Sequence, residues 1–346
     1  MQTMYEGPIQ QEKEMKIAYL YAGQGAQHAG MGKDLYEKEP AFRAAFEAGD
    51  LDFDLCRTCF EDPDHQLILT EYTQPCMTAL AVGITDLLTQ NGVHPDYAAG
   101  LSLGEYAALY AAGVWNASQT IQTTAFRGKA MQQAAAGMEC GMTAILGLEE
   151  ELLNVCCERA ASETGKVVSV CNYNCPGQLV IGGEKEAVDR AGELAREAGA
   201  RRCLPLAVSG PFHTALMKPA ADALEKWFQD LPFMPMRIPV LFNCLGGEKE
   251  EEDSIPELLV RQVQSGVRME SILRSLLQKK VDTFVEIGPG RTLAGLVRKT
   301  AKTAGTGNLN LFSIETGEDL EQFVEWYRNW QRNGRQADDK TQRVLC

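Results

Sequence analysis

The chain has 346 residues, 45% of them apolar and 23% charged, enough apolar surface for a sizeable core and too little charge for a disordered protein. Lys and Arg number 33 against 47 Asp and Glu, and a net charge of −14 argues against nucleic acid or an anionic membrane as partner, since both need clustered positive charge. No apolar run reaches the roughly 18 residues of a membrane-spanning helix, and residues 1–15 lack the apolar stretch of a secretory signal, so the chain is expected in the cytoplasm. The 11 cysteines then read as reduced thiols, mostly small core residues. Cys56 and Cys59 have metal-ligand spacing, but no second such pair accompanies them and only His65 is near, so no closed zinc site is expected.

Residues 16–22 form a short apolar run ending in a glycine-rich loop, Gly23 to Gly30, the pattern of a buried parallel strand and the turn behind it. The loop is no dinucleotide fingerprint, because His28 stands where the third glycine belongs, and no Gly-Lys-Ser/Thr follows to make a phosphate loop. Helical patterns cover 33–47 and 75–90, the second apolar on most faces and therefore buried. A strand-like run leads into Gly100-Leu-Ser-Leu-Gly104, followed by helical stretches over 105–112 and 117–135.

Residues 137–208 read as a separate unit in the order β-α-β-β-α-β, the ferredoxin-like arrangement. Its parts are a strand over 141–147, a helix over 149–163, strands over 167–172 and 178–181 joined by a Cys-Pro-Gly turn, a helix over 185–198 and a strand over 202–208. Beyond it come a helix over 214–229, a strand over 239–243, an acidic surface loop over 248–253 and a helical segment over 255–277 broken at Gly266. A strand over 281–287 enters the turn Gly288-Pro-Gly290 and a helix from Thr292. The last helix, 319–332, sets Phe323, Trp326, Tyr327 and Trp330 on one core-facing stripe, and 334–346 reads as a frayed tail. Strands alternating with helices on both sides of the insertion predict an α/β fold with a mainly parallel sheet, its large domain made of 1–136 and 209–333.

The chemistry concentrates at Ser102. Gly100-x-Ser102-x-Gly104 between a strand and a helix is the setting of a nucleophile elbow, where a tight turn exposes a serine hydroxyl beside the free N–H groups of a helix N-terminus. A serine hydroxyl needs a base, and the chain has 4 histidines. His94 approaches the same strand from its far end, roughly 20 Å or more away at ~3.3 Å per residue, and is excluded. His65 sits in a polar loop. His28 and His213 both fall at the carboxyl edge of the sheet; His213, which follows a strand and opens a helix, is the first choice and His28 the second. Arg127, in a mostly small and apolar helix, either snorkels to solvent or meets an anion inside a cleft, for which its planar fork suits a carboxylate.

The motifs GQGAQ (23–27), GLSLGE (100–105), AFRGKAMQ (125–132), NYNCPGQLVIGG (172–183), VSGPFH (208–213), LVRQ (259–262) and EIGPGRTLAGLVRK (286–299) together resemble the malonyl-CoA:acyl carrier protein transacylases in order and spacing, over roughly residues 16–315. The resemblance implies an α/β-hydrolase-like large domain with an inserted ferredoxin-like domain. It implies transfer of malonyl from malonyl-CoA to the phosphopantetheine thiol of acyl carrier protein, for fatty-acid synthesis, with no metal and no cofactor beyond the coenzyme A thioester. By the same resemblance Ser102 is the nucleophile and His213 the base, oriented by the Gln262 carbonyl. Gln24 and Leu103 give backbone N–H groups to an oxyanion hole, Arg127 pairs with the malonyl carboxylate, and Phe212 narrows the acyl pocket.

Two positions depart from the family pattern: Leu101 stands where His is usual before the nucleophile, and Ala22 where Pro is commoner in the first loop. An acidic carrier protein would need a local basic patch, with Arg298, Lys299 and Lys302, or Lys279 and Lys280, as candidates. A serine thioesterase, a discrete acyltransferase of a polyketide assembly line and a non-catalytic carrier-protein-binding descendant share the motifs and remain alternatives.

Overall fold

The computed structural model describes residues 15–206 and 210–344, the side chains of 334–344 excepted. Its strands are β1 (Ile17–Tyr21), β2 (Tyr97–Gly100), β3 (Cys140–Leu146), β4 (Val168–Cys175), β5 (Gln178–Glu184), β6 (Arg202–Pro205), β7 (Val240–Phe242), β8 (Gly247–Glu248), β9 (Thr283–Ile287) and β10 (Asn310–Ile314). They form two sheets. The larger has the order β10-β9-β1-β2-β7-β8, parallel from β10 to β7 and antiparallel only at β8. The fold is therefore α/β with a mostly parallel main sheet.

β1 shows why that sheet is covered on both faces. All five residues are buried, and their side chains alternate between two cores. Ile17, Tyr19 and Tyr21 join the core built by the helices Thr70–Gln90, Gly104–Ala111 and Ala117–Ala135, while Ala18 and Leu20 join that of Met269–Gln278 and Thr292–Thr303. A polar residue at any of these positions would face a dry layer, which explains the unbroken apolar run.

The smaller sheet has the order β4-β5-β3-β6 with every pairing antiparallel, and its elements follow one another as β-α-β-β-α-β. The helices Glu150–Thr164 and Lys185–Glu197 pack on one face. The opposite face turns Met142, Ala144, Cys171 and Val180 into the core of the main body.

Several expected bounds change for local reasons. The 33–47 segment is two helices, Lys33–Lys38 and Pro40–Phe46, because Pro40 forces Glu39 out of the helical region (φ −110°, ψ 102°). The helix expected over 75–90 begins at Thr70; Pro75 lies in its second turn, where it removes one backbone bond without ending the helix. The helix expected from 214 opens with a 3-10 turn, Ala215–Met217, before the α-helix Lys218–Gln229. The 255–277 segment divides into Ile255–Val263 and Met269–Gln278, and the chain between them crosses β4, with Val267 bridging Asn172 and Gly266 against the Tyr173 ring. β10 was not expected.

The final helix runs Gly317–Val344, so the frayed tail expected over 334–346 is corrected: its backbone is helical to Val344, and 345–346 lie outside the described residues, as do 1–14 and 207–209. On that helix Phe323 is buried, but Trp330 is 39% exposed, so the aromatic stripe leaves the core at its last ring.

Candidate active site

The first loop and the turns after β2 and β7 come together at the carboxyl edge of the parallel strands, the usual position of a site in an α/β sheet. The turn behind β2 is tight. A Cβ on Gly100 would lie 2.0 Å from the carbonyl carbon of Gly104, and one on Gly104 would lie 2.2 Å from the Tyr21 carbonyl oxygen. Between them Ser102 adopts φ 53°, a left-handed conformation that costs a non-glycine residue about 1–3 kcal/mol. The helix Gly104–Ala111 starts directly behind it.

His213 is buried and lies against the serine, its Nε2 2.7 Å from Ser102 Oγ. Its Nδ1 is 2.9 Å from the Gln262 carbonyl oxygen, which can only accept. The proton therefore sits on Nδ1, and Nε2 is free to accept from the serine hydroxyl. Burial, and secondarily the Arg127 charge, lowers the His213 pKa to about 4, so the imidazole is neutral at neutral pH.

Arg127 is fully buried on the helix Ala117–Ala135. Its Nη1 donates to Gln74 Oε1 at 2.9 Å, and its Nη2 donates to Ser102 Oγ at 3.1 Å and to Gln262 Oε1 at 3.0 Å. The guanidinium lies over the Tyr106 ring, 5.1 Å from its centroid. Among the described residues no carboxylate comes within ion-pair distance of it, so a buried cation beside the serine stands without a counter-anion. Glu105, also fully buried, does not supply one: burial outweighs the Asn243 N–H and the Arg127 charge and raises its pKa to about 8, so it holds its proton at neutral pH.

Gln262 joins the three groups. Its carbonyl orients His213, its Oε1 accepts from Arg127, and its Nε2 donates to the Ser102 carbonyl at 2.7 Å. Gln24 follows Gly23 in the first loop, where a Cβ on Gly23 would touch the Leu101 carbonyl, and the Gln24 side chain donates to Thr70 Oγ1 at 3.1 Å. Among the described residues neither the Gln24 nor the Leu103 backbone N–H has an acceptor. Phe212 is buried against Gly210 and Ala135. The half-buried Leu101 packs into the core on the side of Leu20 and Ala99, so apolar contact occupies the place of the usual histidine.

The remaining histidines lie elsewhere. His28 is exposed and bonds Glu315 and the Ala29 carbonyl; these bonds raise its pKa against the effect of desolvation. His65 and His94 are exposed. Cys56 and Cys59 are free thiols on the helix Leu55–Phe60, and the described residues contain no group of metal-binding side chains. Sequence reasoning missed Gln74 and Asn243. Only Asn243 carried a signal, an amide closing the apolar strand β7 at the carboxyl edge; Gln74 lies among other polar residues of its helix.

Fold and site together define an acyltransferase, and residues 18–336 match the acyl transferase domain family. The malonyl CoA-acyl carrier protein transacylase of Bacillus subtilis (strain 168) is 41% identical over 312 residues, covering 90% of this chain and 96% of its own length. The crystal structure of a malonyl CoA-acyl carrier protein transacylase from Clostridium perfringens superposes with a TM-score of 0.87 at 35% identity, over 92% of this chain and 99% of that one. A malonyl-transacylase solved in complex with its type II PKS acyl-carrier protein does so with a TM-score of 0.84 at 38% identity, over 90% of this chain and 99% of that one. The chain belongs to the malonyl CoA-acyl carrier protein transacylase family.

Proposed function

We propose that the protein transfers a malonyl group from malonyl-CoA to the phosphopantetheine thiol of an acyl carrier protein, through a malonyl ester of Ser102. The observation that supports this best is a single oxygen, Ser102 Oγ, placed 2.7 Å from a neutral imidazole and 3.1 Å from a buried, unpaired guanidinium. As the hydroxyl attacks the thioester carbonyl, its proton passes to His213 Nε2. The developing oxyanion faces the backbone N–H groups of Gln24 and Leu103, where losing one such donor costs an enzyme about 2.7–4 kcal/mol. The C–S bond breaks, and the coenzyme A thiolate takes the proton from His213. The carrier's thiol then repeats the sequence on the ester, with His213 again as base, in a ping-pong scheme.

Throughout, Arg127 pairs with the free malonyl carboxylate and keeps the ester out of line with water, while Phe212 and Gln262 shape and orient the acyl pocket. No metal or cofactor enters the scheme. The architecture that goes with it is an α/β-hydrolase-like body of residues 1–136 and 209–333 with a ferredoxin-like insertion, 137–208; the β4-β5-β3-β6 order with both helices on one face supports the insertion. The cytoplasm is the compartment that suits the ten described cysteines, all free. The pathway we assign to this transfer is fatty-acid synthesis.

Intact-mass measurement after exposure to malonyl-CoA tests the reading. One malonyl group per chain is expected on the wild type and none on Ser102→Ala, with loss of the group on adding holo carrier protein. A malonylated Ser102→Ala protein refutes the nucleophile; release of free malonate in place of transfer makes the enzyme a hydrolase.

A further inference from the structure

Asn243 follows β7. The parallel register sets Ala98 beside Val240 and Ala99 beside Leu241, so the residue after β7 comes alongside the turn after β2. There the Asn243 side chain is fully buried and spans that turn: its Oδ1 accepts the Ser102 N–H at 2.7 Å, and its Nδ2 donates to the Gly100 carbonyl at 2.7 Å. The clamp is itself fixed from behind. The Asn243 N–H donates to Glu105 Oε2 at 2.5 Å, and its carbonyl accepts the Arg268 N–H at 2.9 Å.

We propose that Asn243 is a positioning residue. Its side-chain amide holds the left-handed turn in the one backbone setting where Ser102 Oγ meets both His213 Nε2 and Arg127 Nη2. By occupying the Ser102 N–H it also leaves the Gln24 and Leu103 N–H groups to receive the thioester oxygen. This inference rests on Ser102 being the nucleophile.

The chemistry of the clamp is demanding, because one planar group must accept on one side and donate on the other. An ionised aspartate only accepts and would oppose the Gly100 carbonyl with a second negative oxygen. A protonated aspartic acid reproduces both bonds. Burial favours that neutral form, so Asn243→Asp becomes a titratable version of the clamp.

The experiment uses the full-length wild type, Asn243→Leu, Asn243→Asp and Ser102→Ala, with single-turnover malonyl loading followed by quenched-flow mass spectrometry across a pH series and melting curves as a folding control. In Asn243→Leu every chain should still load, with half-saturating malonyl-CoA unchanged but a rate constant about ten- to a hundredfold lower, the usual effect of a slightly misplaced reacting group. In Asn243→Asp the rate relative to wild type should recover as pH falls and the clamp regains its donor. If Asn243→Leu does not fold, the pH dependence of Asn243→Asp decides. Loading at the wild-type rate at every pH, or a loss confined to the fraction of chains that load, overturns the inference. Malonylation of Ser102→Ala would instead overturn the nucleophile on which it rests.

Discussion

Replacing Arg127 by methionine separates charge from volume, since methionine fills most of the aliphatic path while removing the guanidinium. In the free enzyme the change relieves a buried cation that has only neutral partners, Gln74, Gln262 and Ser102, so the fold should tolerate it. In the malonyl complex it leaves a buried carboxylate without its counter-charge, and orphaning one member of such a pair costs about 2–5 kcal/mol. At about 1.36 kcal/mol per decade that is a fall in kcat/KM for malonyl-CoA of roughly 30- to 5,000-fold. Acetyl-CoA has no carboxylate to orphan and should lose little.

The same variant tests the electrostatics of the base. Burial is the main cause of the low His213 pKa and Arg127 the second, so with the charge gone the acid limb of acetyl transfer should move up from about 4 toward the ordinary 6.5. Steady-state kinetics with both donors over a pH series measures both effects. Equal losses for malonyl and acetyl, with a stationary acid limb, would refute the assignment of Arg127 as the carboxylate's partner.

Other expectations concern the surroundings of the site. Glu105 keeps a proton in the fold between its ordinary 4.5 and about 8 that the unfolded chain releases, so its contribution to stability is present at low pH and lost as pH rises through that window. Melting temperatures of Glu105→Gln should accordingly gain on the wild type with rising pH, and parallel curves would mean the carboxyl is ionised in the fold. In Gly23→Ala the new Cβ would sit 2.6 Å from the Leu101 carbonyl, so the first loop must move and carry the Gln24 N–H with it. Malonyl loading should slow by about a hundredfold, the scale of losing one oxyanion donor, and melting should fall as well because the clash is with backbone; loading at the wild-type rate would remove Gln24 from that role.

What was legible in the sequence was what depends on local pattern. The apolar run of β1, the glycines around Ser102 and the alternation of strands and helices each follow from rules acting over a few residues. The β-α-β-β-α-β order was readable for the same reason, since its short strands and helices are bounded by turn residues. What failed was where context wins. Pro75 reads as a helix start, yet the helix Thr70–Gln90 continues through it because the segment is packed on nearly every side. Trp330 has the spacing of a core residue but lies beyond the last layer that could cover it. β10 is short and half-exposed, and only its pairing with β9 makes it a strand.

The site divides along the same line. Ser102 and His213 were visible because the turn and the sheet edge announce them. The amides of Gln74, Asn243 and Gln262 act through neighbours far away in the chain, the Asn243–Ser102 contact spanning 141 residues, and no local pattern encodes such a partner. Two of them, Gln74 and Gln262, help explain why a cation can be buried here at all. Three neutral acceptors, Gln74 Oε1, Gln262 Oε1 and Ser102 Oγ, solvate the Arg127 guanidinium without neutralising it. A carboxylate in their place would hold the arginine more tightly and cancel its attraction for an anionic acyl group. Among the described residues Glu105 is the acid whose charge would act on the guanidinium, and burial keeps it protonated. The positive charge is thus left available to an anion, and burial, with the same field as a second cause, keeps the neighbouring imidazole neutral.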